Sequence, residues 1–86
     1  MSKKNKLPIG LTTMTLLSKT TPGDSVDIKQ VTAQGKLGQR LMDLGLYPGL
    51  TVKVVRNAPL EDPMEIEING YFLSLRHEEA DYVEIS

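Results

Sequence analysis

Apolar and polar positions alternate along most of this chain, and where the alternation stops the spacing becomes that of a helix. Val26, Ile28 and Val31 line one strand over about Ser25 to Thr32, with Asp27 and Lys29 on the opposite face. Leu37, Leu41 and Leu44 then recur at i, i+4 and i+7, while Lys36, Gln39, Arg40 and Asp43 point elsewhere, which predicts a short amphipathic helix. A helix of this length needs a sheet beneath it. Val52 and Val54 on one side, with Lys53 and Val55 on the other, predict a strand from Leu50 to Asn57. Met64, Ile66 and Ile68 alternate with Glu65 and Glu67, and Leu73 and Leu75 point inward from a partner strand, Tyr71 to Arg76. The polar run from Arg76 to Asp81 predicts one 3₁₀ turn before a last strand, Tyr82 to Ile85, carrying Val83 and Ile85.

Glycine and proline punctuate these elements. Gly45 follows the last apolar helical position, where a left-handed residue ends a helix, and Pro48-Gly49 fits the central pair of a type II turn. Pro22-Gly23 repeats the device before the first strand. Asn69-Gly70 predicts a two-residue type I′ hairpin, whereas Ala58 to Pro63, with two prolines and Glu61-Asp62, has to be a loop. The fold class is therefore mostly β: a small SH3-like antiparallel barrel of about five strands with one inserted short helix, closed so that few strand edges are left open. Residues 1–13 hold Lys3, Lys4, Lys6, Pro8 and Gly10 without a clean apolar period and read as a flexible lead-in to a single domain over residues 14–86.

Composition narrows the function. Eighty-six residues support one domain with a modest core. With no cysteine there is no disulfide, thiolate metal site or cysteine nucleophile. Ten basic against eleven acidic residues leave a net charge of -1, so no bulk positive field draws nucleic acid. No apolar run approaches the roughly 20 residues that span a bilayer, and the first residues lack the apolar core of a signal peptide, so direct membrane insertion is not expected. Ser18, Ser25 and Ser74 have no histidine at a catalytic spacing, and Gly35, Gly38, Gly45 and Gly49 serve helix and turns rather than a phosphate loop. The expectation is a protein that is not an enzyme and carries no cofactor.

Three blocks in this order and spacing carry a more specific signal: Arg40 to Gly49 (Arg-Leu-Met-Asp-Leu-Gly-Leu-Tyr-Pro-Gly), Val52 to Pro63, and Leu73 to Ala80 (Leu-Ser-Leu-Arg-His-Glu-Glu-Ala). Together they resemble the ferrous iron transport protein A family, small cytosolic partners of the bacterial ferrous-iron membrane transporter, over about Met14 to Ile85. The resemblance implies an accessory role in ferrous-iron uptake, by contact with the membrane transporter and its cytoplasmic GTPase region. It also implies a cytoplasmic protein, peripheral at the inner membrane through that partner. The alternative is a metal-responsive regulatory module that binds Fe(II) or another transition metal ion.

Candidate contact residues are few. Leu46 and Tyr47 stand beside a rigid turn, where either tyrosine offers a partner amphipathic area at low entropic cost or Leu46 plugs the barrel end and Tyr47 covers it; Arg40 reaches either a partner or Asp43 one turn later. Pro59 stands in the stiff loop from Ala58 to Pro63. With three tyrosines, one phenylalanine and no tryptophan, an aromatic groove for proline-rich peptides is not expected. His77, Glu78 and Glu79, with Asp81 nearby, are weak metal candidates, because consecutive side chains cannot converge on one ion without help from another strand. A solvated turn is the favoured reading of that segment.

Overall fold

In this computed structural model the described residues are 15–86, and their alternating segments form six antiparallel strands in one sheet. The expected lead-in, residues 1–13, lies outside the described residues. The elements are β1 (Thr15–Leu16), a 3₁₀ turn (Leu17–Lys19), β2 (Ser25–Val31), α1 (Gly35–Asp43), β3 (Thr51–Arg56), β4 (Met64–Ile68), β5 (Tyr71–Leu75), α2 (His77–Ala80) and β6 (Val83–Ile85). The strand order is β1-β6-β2-β3-β4-β5.

β2 belongs to both halves of the sheet. Its start, Ser25 to Asp27, pairs with β3, and its end, Ile28 to Val31, pairs with β6. The register shifts between Ile28 and Gln30, and such a bulge bends and twists a strand. That bend lets both halves contribute to one core: Ile28, Val52, Val54, Met64, Ile66, Ile68, Leu75, Val83 and Ile85 all join a single buried cluster. From α1, Leu41 is fully buried, while Leu37 and Leu44 pack at its margin.

The turn chemistry follows the sequence. Asn69 (φ 48°) and Gly70 (φ 85°) both take positive φ, as a type I′ turn requires, and Gly45 (φ 96°) ends α1 in the left-handed region. Gly38 has a different duty. A Cβ there would lie 2.6 Å from the Ala33 carbonyl oxygen, so this helical glycine permits close approach of the preceding chain.

Two expectations need correction. The strand count is six rather than about five, because Thr15–Leu16 pairs with Ile85 and Glu84; two residues are too few to show alternation. The turn expected as 3₁₀ before the last strand is a short α-helix, His77–Ala80, since the Asp81 N–H donates to the His77 carbonyl and Glu79 closes its N-terminus.

Candidate functional site

Polar side chains that are far apart in sequence converge where the 3₁₀ turn, the end of β3, the proline loop and α2 meet. Asn57 is the hub. Its Nδ2 donates to the Ser18 carbonyl at 3.1 Å and to the Thr20 carbonyl at 2.7 Å, which fixes its Oδ1 toward His77. His77 Nε2 lies 2.6 Å from that oxygen and so acts as donor, while Nδ1 faces Asp62 Oδ1 at 2.5 Å. The His77 backbone N–H donates to the same Asp62 oxygen at 2.8 Å. The Asp62 carboxyl is held below its usual range, first by that backbone hydrogen bond, which outweighs the opposing desolvation, and further by the His77 side chain and the Arg76 charge. Ser18 Oγ, on the other flank, donates to Asp81.

These contacts fix the proline loop at both ends, Asn57 and Asp62, to one imidazole. They also form the wall of an open cleft of about 470 Å³, lined by Ser18, Thr20, Pro22, Asn57, Pro59 and His77 among others. Pro59 therefore borders a shaped surface, and Leu60 beside it is 98% exposed.

The second feature joins α1 to α2. Glu79, 9% exposed, uses both carboxylate oxygens: Oε1 accepts the Arg76 N–H at 2.9 Å and Oε2 accepts Arg40 Nε at 3.0 Å. The local partner expected for Arg40, Asp43, is taken by Gln39 instead, whose Nε2 donates to it at 2.8 Å. A buried carboxylate needs its acceptors filled, and that requirement outweighs the i, i+3 preference on an exposed helix face. Most of the Arg40 side chain, 59% of its surface, remains in solvent.

The anticipated contact residues divide accordingly. Tyr47 is half exposed and Pro59 is exposed, so both are accessible together with Arg40. Leu46 is fully buried, and its N–H donates to the Leu41 carbonyl, so its side chain is part of the core. The metal candidates are dispersed in role. Both His77 ring nitrogens and both Glu79 oxygens are engaged, Glu78 is exposed, and among the described residues no three His, Asp or Glu side chains are grouped to hold an ion. Sequence reasoning missed Asn57, for which the only local cue is a polar residue where a strand ends before Ala-Pro.

With this geometry in place, comparison with known proteins decides the family. Residues 15–86 match the model of the FeoA domain family. The chain belongs to the FeoA family. It is similar to the Fe(2+) transport protein A/Fe(2+) transporter FeoB fusion protein of Porphyromonas gingivalis, with 38% identity over 69 residues that cover 80% of this chain and 8% of that relative. The chain thus spans a small part of that relative's length. Among solved structures it is similar to FeoA from Chlorobium tepidum, at 41% identity and TM-score 0.72, covering 83% of this chain and 68% of that one. It is also similar to Stenotrophomonas maltophilia FeoA complexed with zinc, described as a procaryotic SH3 domain protein, at 25% identity and TM-score 0.75, covering 84% and 89%. The FeoA family is linked to ferrous-iron transport, and the SH3-like fold expected from the sequence is the one observed. Among the described residues no helix is long and apolar enough to cross a membrane.

Proposed function

We propose that this FeoA-family chain is a non-enzymatic accessory protein of ferrous-iron uptake that acts by binding the membrane transporter, with the transporter's cytoplasmic GTPase region as its point of contact. The observation that carries this reading is the Porphyromonas gingivalis relative, in which transport protein A and the transporter FeoB are one polypeptide. Covalent fusion holds two modules at high effective concentration, and that arrangement is useful when the modules work in contact.

The contact surface on this chain is Arg40, Tyr47 and Pro59. Tyr47 supplies a half-exposed aromatic ring beside the Pro48-Gly49 turn, and its chain neighbour Leu46 is anchored in the core. Among the described residues only the Nε of Arg40 is engaged, by Glu79, which pre-orients the guanidinium at little entropic cost. Pro59 stands on a loop whose ends are already fixed by His77, so binding does not have to order it.

Isothermal titration of the metal-free protein with the transporter's soluble GTPase domain tests the assignment. Tyr47→Asp is expected to weaken binding by roughly 30-fold or more, the scale of a central aromatic contact. A folded Tyr47→Asp variant that binds as well as wild type contradicts this surface.

A further inference from the structure

β5 is the last strand in the sheet order, so among the described residues its outer edge has no strand partner. Ile68 and Tyr71 flank the two-residue turn and form its closing hydrogen-bonded pair, so Ile66–Leu73 and Met64–Leu75 carry the remaining ladder bonds to β4. The main-chain N–H and C=O groups of Phe72 and Ser74 therefore point away from β4, and among the described residues they make no backbone hydrogen bond elsewhere. Strand edges are usually protected by a charge, a proline or a bulge. β5 reads Tyr-Phe-Leu-Ser-Leu with an unbroken register and has none of these. Phe72 is 61% exposed beside the unpaired groups.

We infer that this edge pairs with the same edge of a second copy of the chain, β5 against β5 in antiparallel register about a two-fold axis at Leu73. In that register Phe72 of one copy faces Ser74 of the other, and the N–H and C=O groups of both residues exchange four hydrogen bonds. The neighbouring registers do not achieve this. Moving the axis to Phe72 sets Ser74 against the Gly70 turn, and moving it to Ser74 sets Phe72 against Arg76, whose N–H is already held by Glu79.

Charge selects the occupant. On the outer face Lys53 pairs with Glu67 and Arg56 with Glu65 across β3 and β4, the latter as an ion pair at 3.8 Å. The acidic row next to β5 is thereby balanced from within, so the edge offers no net charge to a basic or acidic strand and does not repel its own copy. Across the joined sheets the rows run Lys53, Glu67, Phe72, then Ser74, Glu65, Arg56 of the second copy. With five residues a side the contact is smaller than a standard interface of about 1,600 Å², so the dimer is concentration-dependent.

Sedimentation equilibrium of the full chain from micromolar to millimolar protein tests this, together with an isotope-filtered NOE experiment between Phe72 and Ser74 of differently labelled copies. A monomer–dimer equilibrium with that inter-copy NOE is expected. Ser74→Pro deletes only the outward N–H and keeps the ladder to β4, removing two of the four bonds per dimer; it should weaken association by at least about tenfold. Phe72→Lys, at an exposed position, should do the same by placing like charges at the contact. A chain that stays monomeric at millimolar concentration overturns the proposal, as does a dimer that neither substitution weakens. Monomeric protein whose Phe72 and Ser74 amides shift only on adding the GTPase domain also overturns it, and would give the edge to that partner instead.

Discussion

Replacing Asn57 with alanine removes three hydrogen bonds from one side chain: those to the Ser18 and Thr20 carbonyls, at 3.1 and 2.7 Å, and the one from His77 Nε2, at 2.6 Å. Ser18 is buried and Thr20 half-buried, so water reaches the freed carbonyls only in part. At roughly 1 kcal/mol net for each bond, the loss is about 3 kcal/mol. For a domain of this size that corresponds to a fall in Tm of about 15 °C. Urea unfolding followed by circular dichroism measures the free energy, and the amide spectrum reports whether changes concentrate at Ser18 to Thr20 and His77 to Asp81. A change within about 0.5 kcal/mol, the range of an ordinary surface substitution, would mean that Asn57 does not tie these segments together.

Other outcomes follow from the same contacts. Gly38→Ala adds a methyl against the Ala33 carbonyl oxygen, and the required shift should outweigh the gain in helix propensity, giving about 1–2 kcal/mol of destabilisation in chemical denaturation. Leu46→Ala should cost about 3 kcal/mol as a core truncation, and it should alter partner affinity only through unfolding. The Asp62 carboxyl titrates lower in the folded chain than in the unfolded one, so the unfolded chain binds more protons between the two values. Its stabilising contribution is present above the ordinary carboxylate range and is lost as pH falls toward the folded value. Asp62→Asn should therefore flatten that part of the acid limb of a stability–pH profile, and an unchanged limb would contradict the His77 contact.

Periodicity made the scaffold legible. Met64, Ile66 and Ile68, the Asn69-Gly70 turn, and the Leu37, Leu41 and Leu44 stripe are local patterns, and each lies where the pattern put it. β1 was not legible because two residues carry no period. The side-chain network was illegible for a different reason: Ser18 and Asp81 are 63 positions apart, and Arg40 and Glu79 are 39 apart. Such pairs are brought together by the sheet, and the local rule that would join Arg40 to Asp43 yields to the buried Glu79 carboxylate, whose Oε2 accepts Arg40 Nε. Leu46 could be read from the sequence as a contact residue or as a plug of the barrel end, and its burial in the core favours the plug.

Contact between this chain and the cytoplasmic part of a ferrous-iron transporter is the central proposal. The most direct measurement is the map of amide shift changes in labelled protein as the transporter's GTPase domain is added without metal. Saturable changes centred on Arg40, Tyr47 and the loop around Pro59 are expected. The absence of any change at saturating partner concentration would contradict the proposal.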